Sequence, residues 1–262
     1  MRKALPLRNM ISLFVKTRFR NLLCITILLF PQLCFSTNPE LFSSVAEEYK
    51  NGPDAEILKA IAEKMNAKLE IRHAPFKRRL QLMKDGKIDF MSGLLKSPER
   101  ENYIHFISPP YKERSDTVFF LSKGKPSFLK KYEDLYALKI GTNLGSNYFP
   151  RFDNDAKLRK EAVSSGIPNF RKLLLGRIDT VIYPESGGID LVHKIGIADR
   201  IEIAEFRFSQ KKPVYIGISR KSRLMDNISK TESVIVPMIE SGEIKRIIVD
   251  YYVSHFLPVP AM

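Results

Sequence analysis

GKIDFMSGLLKSPERENYIHFISPPY, running from Gly86 to Tyr111, is the stretch whose reading decides the fold of this chain. Asp85-Gly86 forms a turn, and the apolar run Ile88 to Met91 reads as a buried strand. Ser92-Gly93 ends that strand at a place where the backbone approaches something closely. Ser97-Pro98-Glu99-Arg100 then opens a helix, with Ser at the N-cap and Pro at the first helical position. The free N–H groups of such a start favour an anion, and Arg100 adds a planar fork that holds a carboxylate with two hydrogen bonds. The same four residues also read as an ordinary helix start with a solvated Arg.

Upstream, Leu41 to Glu47 is a short strand weakened by Ser43-Ser44. Gly52-Pro53 starts a helix that carries Ile57, Leu58, Ile61 and Met65 on one face. Lys68 to Arg72 alternates as a strand does, and Pro75 to Lys84 is a helix with Phe76, Leu80 and Met83 inward. Strand, helix, strand, helix, strand at this spacing predicts a parallel sheet with crossover helices. Lys77-Arg78-Arg79 reads as a solvated face of the second helix, with one of the three turned to a cleft as the alternative.

Downstream, Asp116 to Leu121 is a strand that leaves the first unit. Leu138 to Gly141 is another, followed by the loop Thr142 to Asn147, where Ser146 or Asn147 caps the next helix. No Lys follows Gly145, which excludes a nucleotide phosphate loop. Gly176-Arg177-Ile178-Asp179 echoes Gly86-Lys87-Ile88-Asp89, each after a helix and before a strand. The strand Thr180 to Tyr183 ends at Pro184-Glu185-Ser186, Arg200 to Phe206 is a further strand, and Pro213 to Ser219 returns to the first unit. Crossings near 117–122 and 209–214 predict a two-strand hinge. Helices over Arg223 to Ile239 and Glu243 to Tyr252 end the chain, with Ile247, Ile248, Tyr251 and Tyr252 as core.

The order Gly, Asp, apolar strand, small residue, Ser97, Arg100, then Phe106-Ile107-Ser108 and Pro110-Tyr111, resembles the type 2 periplasmic solute-binding proteins, in the polar amino-acid receptor branch. The resemblance covers most of the chain after residue 40. It implies an α/β, two-lobed fold of the periplasmic-binding-protein type 2 kind, each lobe a mainly parallel sheet flanked by helices. Lobe one is then 37–117 with 214–262, and lobe two 118–213. It implies a ligand site in which Arg100, Ser97 and backbone groups of Gly93 and Leu95 face Ser146 and Asn147 across a cleft. The residue at Asn147 touches the ligand carboxylate in such receptors. An Asp that pairs with the ligand α-amino group is replaced here by Pro184, and Glu185 beside it either shifts into that role or caps the following helix. The aromatic loop after the first strand is shortened to Glu47-Glu48-Tyr49-Lys50, leaving Tyr49 to stack on the ligand or to pack on a helix end.

Residues 1–36 hold six basic residues and no acid, then the apolar run Leu22 to Phe30, Pro31 and a cleavage site near Ser36, the layout of a secretory signal peptide. Both cysteines, Cys24 and Cys34, lie in it, so the mature chain needs no disulfide and has no thiol nucleophile. Without that segment, 37 of the 43 basic residues remain against 29 acidic ones, a basic surface that attracts anionic solutes. His73, His105, His193 and His255 show no metal-ligand spacing, and no Ser sits in a nucleophile-elbow pattern. No cofactor is expected. The reading is an exported, monomeric protein that captures a small anionic or zwitterionic, amino-acid-like solute for an inner-membrane transporter or sensor. An exported chain without a recognisable module gives no reason to expect nucleic acid. Two rivals stand beside it: an enzyme on the same scaffold, since the superfamily includes a dehydratase, and an interaction module with no small ligand. N-terminal sequencing of the exported protein is expected to begin near Thr37; a full-length product held in the inner membrane overturns the signal-peptide reading.

Overall fold

A computed structural model describes residues 38–124, 129–209 and 211–260. The signal-peptide segment lies outside the described residues. Strand β1 (Glu40–Val45) is followed by a single 3-10 turn, Glu47–Tyr49, then helix α1 (Pro53–Lys64), β2 (Lys68–His73) and α2 (Phe76–Asp85). Next come β3 (Phe90–Leu95), the one-turn helix α3 (Pro98–Glu101), β4 (Ile104–Phe106) and β5 (Lys112–Arg114). The remaining strands are β6 (Thr117–Ser122), β7 (Lys139–Asn143), β8 (Arg159–Val163), β9 (Thr180–Pro184), β10 (Ile201–Phe208) and β11 (Lys211–Ser219). The remaining helices are α4 (Pro150–Asn154), α5 (Gly166–Leu174), α6 (Glu185–Lys194), α7 (Ile228–Glu240) and α8 (Glu243–Ser254).

In the first half, β1 and β2 run parallel, while β11 lies antiparallel between β3 and β4 and also pairs with β5. The second half is one five-stranded sheet in the order β10-β6-β9-β7-β8. Its β7 is parallel to both neighbours, as a βαβ repeat requires. The strands that arrive from the other half, β6 and β11, run antiparallel to theirs.

The Gly-basic-Ile-Asp echo has one physical meaning in both halves. Gly86 and Gly176 take φ of 70° and 65°, the left-handed turn that ends a helix. Ile88 and Ile178 are fully buried plugs. Each Asp then ties the next strand to the strand two earlier in the chain, β3 to β1 and β9 to β7. Phe42 N–H donates to Asp89 Oδ2 at 2.7 Å, and Asp89 N–H donates back to Phe42 C=O at 2.7 Å. Lys139 N–H donates to Asp179 Oδ2 at 2.8 Å, and Asp179 N–H donates back to Lys139 C=O at 2.9 Å. Asp89 also accepts from Ser222 Oγ at 2.5 Å. Ser43 and Ser44 do not weaken β1; both are fully buried, with hydroxyls donating to Phe90 C=O and Arg72 C=O at 2.7 Å. Ile57, Leu58 and Ile61 of α1 are fully buried in the first core, each contributing about 1.5–3 kcal/mol of burial.

Two expected boundaries move. Strand β3 does not stop at Ser92-Gly93 but continues to Leu95. Against β11, Leu94 faces Tyr215 and Met91 faces Gly217, so β3 carries one extra residue there. Gly93, with φ of 74°, makes that a bulge instead of a strand end. The helix expected to start at Ser146 or Asn147 starts at Pro150, with Phe149 at its N-cap. Pro150 forces Phe149 into extended backbone, and Tyr148 and Phe149 are buried in an aromatic cluster with Phe152.

The backbone passes between the halves twice, side by side. Arg114 faces Lys211 in one sheet, and Thr117 faces Phe208 in the other. Between them, Asp116 accepts from Arg114 Nε at 2.7 Å, Arg114 Nη2 at 3.0 Å and Ser209 Oγ at 3.2 Å. The hydrogen bonds from Arg114 hold its carboxyl below the usual range.

Asp89→Ala is expected to cost about 2–4 kcal/mol in urea unfolding with an unchanged m-value, since two donors lose a charged acceptor. Asp179→Ala is expected to cost about half as much, because the N–H it leaves is exposed. Equal losses would mean that the echo is not graded by burial.

Candidate functional site

A cavity of about 250 Å³ lies between the two halves. On the first side, the Gly93 bulge turns its N–H to the Tyr111 hydroxyl at 3.1 Å, and that hydroxyl donates to Asp54 Oδ1 at 3.4 Å. A side chain at Gly93 would meet Asp54 at 3.2 Å, which, with the positive φ, explains the glycine. Ser97 caps α3 by accepting from Arg100 N–H at 3.4 Å. The cap turns Arg100 inward, where it is only 3% exposed. Its guanidinium donates to Leu95 C=O at 2.8 Å and, across the cleft, to Gly145 C=O at 3.1 Å. It also lies 5.4 Å from the centre of the Phe76 ring.

Arg79 shares that ring. Its guanidinium is 5.1 Å from the Phe76 centre, and its buried Nε has no hydrogen-bond partner. The solvated-face reading of Lys77-Arg78-Arg79 is therefore corrected: Lys77 and Arg78 are exposed, while Arg79 lines the cavity. The helical repeat puts Arg79 one turn from Phe76 and Met83, on the inward face.

The second side is built on the turn after β7. Gly145 takes φ of 80° and packs against Lys77. Ser146, Asn147 and Tyr148 line the cavity, and Tyr148 Oη accepts from Asn143 N–H at 2.8 Å. Tyr183 and Pro184, at the end of β9, complete this wall with Gly187 and Asp190 of α6. Tyr49 reaches over from the first half: its hydroxyl donates to Gly187 C=O at 2.8 Å and lies 3.3 Å from the Tyr183 hydroxyl. Burial, then the neighbouring Tyr183, pushes this hydroxyl well above its ordinary range, so it stays a neutral donor.

Two lysines at the crossings also face the cavity, Lys112 and Lys212. Lys212 Nζ donates to Thr117 Oγ1 at 3.1 Å and to Asn147 C=O at 3.5 Å. Burial, opposed by Asp153 and assisted by the Arg100 charge, pulls Lys212 down to about 8. Burial also lowers Lys112. None of Arg79, Arg100, Lys112 and Lys212 enters an ion pair among the described residues. Of the two acids in the wall, Asp190 is satisfied by Lys194 Nζ at 2.8 Å and Tyr251 Oη at 3.0 Å, and Asp54 has only Tyr111.

Of the residues singled out in the sequence, Arg100, Gly93, Leu95, Ser146, Asn147 and Tyr49 line this cavity. Two do not. Ser97 is used by its cap, and Glu185 pairs with Arg207 at 3.2 Å beside a separate, smaller cavity of about 140 Å³. Arg79, Asp54, Lys112, Lys212 and the Phe76 platform were not assigned from sequence. The one available signal for the lysines was a charge placed where each strand crosses between units.

Residues 34–254 match the family described as bacterial extracellular solute-binding proteins, family 3. The chain belongs to this family. A sequence relative, the arginine-binding extracellular protein ArtP of Bacillus subtilis, is 30% identical over 105 residues, 38% of this chain and 40% of its own length. The probable amino-acid-binding protein YxeM of the same organism is 22% identical over 149 residues, 56% of each chain. The chain thus matches about half the length of these relatives. Solved structures share the fold more completely. An ancestral arginine-binding protein bound to glutamine is 23% identical with a TM-score of 0.69, covering 82% of this chain and 99% of that one. An ancestral amino-acid-binding protein described as a precursor of cyclohexadienyl dehydratase is 18% identical with a TM-score of 0.65, covering 81% and 95%. The family protein described here has the two-lobed type 2 fold of these structures. Among its described residues no helix is long and apolar enough to cross a membrane.

Lys212 gives a test of the site's electrostatics. Its folded pKa, about 8, lies below the ordinary 10.5, so the unfolded chain binds more protons between those values. Ligand-free stability is therefore expected to rise with pH across that window. Lys212→Met is expected to be more stable than the parent by about 1–3 kcal/mol at pH 7. The gap should close as pH rises toward the ordinary lysine range. Denaturant titrations at pH 7 and pH 10 measure both; a less stable Lys212→Met refutes the assignment.

Proposed function

We propose that this protein captures a small, carboxylate-bearing solute between its lobes and presents it to an ABC-type transporter or a membrane sensor. The observation that carries the reading is Arg100: a nearly fully buried guanidinium that faces the cavity with carbonyl partners and no carboxylate. A fork of this kind is completed by a planar anion. Ser146, Asn147 and the backbone of Gly93 and Leu95 lie around the same space, and Tyr49 closes it from above. Family membership supports a solute-binding role, and the relatives named for arginine and amino acids support a small zwitterionic or anionic ligand.

In this proposal residues 37–117 and 214–262 move as lobe one and 118–213 as lobe two, swinging about the paired crossings at Asp116 and Ser209. The chain acts in the periplasm after removal of its first 36 residues, as a monomer, without metal, cofactor or catalytic step. Presentation to a membrane partner follows from closure, which changes the surface both lobes offer together.

Arg100→Ala is expected to weaken binding of the solute by about 2–5 kcal/mol, and Arg100→Lys to restore only part, because an ammonium cannot reproduce the fork. Calorimetry reads the affinity, and the ligand-free melting curve checks that each variant folds. Small-angle scattering should show a more compact particle on ligand addition. An Arg100→Ala affinity within about threefold of the parent sinks the proposal.

A further inference from the structure

The cavity's charges are unequal in a way that bears on the class of solute, given the binding role proposed above. Four cations line it without an ion pair: Arg79, Arg100, Lys112 and Lys212. They fall into two groups. Arg100 and Lys212 act at one end, both donating to the turn that follows β7, at Gly145 and Asn147. Arg79 and Lys112 line the cavity from α2 and β5. Both guanidiniums lie over the Phe76 ring, Arg79 Cζ 5.1 Å and Arg100 Cζ 5.4 Å from its centre. The Arg79 Nε is buried and makes no hydrogen bond, so this guanidinium is not satisfied by the protein alone.

An ammonium finds little in this wall. Asp190 is already held by Lys194 and Tyr251. Glu185 is turned to Arg207, outside the main cavity. Pro184, at the end of β9, lines the cavity and carries no charge. Asp54 remains, but two cations already lie in its field. With Asp54 counted, the wall keeps a surplus of three positive charges; a zwitterion would leave it as it stands, whereas two anionic groups would offset two-thirds of it. The space, about 250 Å³, is that of a small-molecule site.

We propose that the cavity takes a short dicarboxylate without an amino group, one carboxylate at Arg100 and Lys212 and the other at Arg79, beside the Phe76 ring that the two guanidiniums share. Arg79 is then the residue that selects a second anionic group.

Calorimetry on the purified protein at pH 7 tests this with matched pairs: succinate against aspartate, and glutarate against glutamate. Butyrate serves as the single-carboxylate control, and glutamine and arginine as amino acids without a second carboxylate. One dicarboxylate is expected to bind at least tenfold tighter than its amino counterpart and at least thirtyfold tighter than butyrate. Arg79→Gln is expected to reduce the preference for the dicarboxylate over butyrate at least tenfold, and Arg79→Lys to restore part of it. Tighter binding of any of the four amino acids than of both dicarboxylates overturns this inference and leaves the solute-binding role standing. An unchanged preference in Arg79→Gln overturns the role given to Arg79. Absence of binding by every compound overturns both the inference and the role on which it rests.

Discussion

A carboxylate that accepts one backbone N–H and returns its own to the same residue fixes each half of this protein. Asp89 does this to Phe42, and Asp179 does it to Lys139. The bond is strong because one partner is ionised, and it acts where an ordinary ladder bond would begin. It sets β3 beside β1 and β9 beside β7, in each case passing over the strand between them in the chain. Everything beyond that point follows in register: the bulge at Gly93, the helix start at Ser97 and the turn at Gly145 all lie at the far ends of strands placed by these two residues. Those ends face each other, and the cavity lies between them. This is where open α/β sheets present their loops and helix starts to a ligand.

The walls then combine two kinds of contact. The bridges across the cleft are neutral or singly charged and use backbone wherever they can: Tyr49 to Gly187, Arg100 to Gly145, Gly166 N–H to Glu48 at 3.3 Å. The charges facing the cavity are not matched in this way. Like charges repel, and the Arg100 charge helps to lower Lys212. The buried cations therefore oppose the arrangement that the bridges favour.

The parts of this that the sequence carried are local. A helix that stops at Gly, a buried Ile and an Asp before an apolar strand form a pattern within a few residues, and its repetition exposed both halves. Ser97-Pro98 announced a helix start, and Arg100 followed from it. The strand boundary at Ser92-Gly93 was misread because a bulge and a strand end use the same residues; only the partner strand β11, more than a hundred positions away, tells them apart. The misplaced helix start at Ser146 had a local cause that was legible, since Pro150 restricts the residue before it. Arg79, Lys112 and Lys212 were hidden for a different reason. Periodicity says which face of an element is inward when that face is apolar. It is silent on a long cationic side chain whose tip is buried by a sheet from the other half of the chain.

If the lobes close on a solute, as proposed, that silence has a physical counterpart in how closure is stabilised. A ligand shifts an equilibrium only by the difference between its affinities for the two states. In an open form Arg100 would lose Gly145 as an acceptor, and Lys212 would lose Asn147. In the closed form water is replaced by carbonyls and aromatic rings, and the repulsion between the cations is felt in full. An anion in the cavity removes that repulsion only in the closed form, so its whole electrostatic contribution is differential. The bridges made by Tyr49 and Arg100 then need only hold the lobes near balance, because the solute supplies the remainder. A cavity that was already neutral would lack this coupling: it would close equally well on water. On the proposed function, the unpaired cations are then the element that makes closure depend on what has entered.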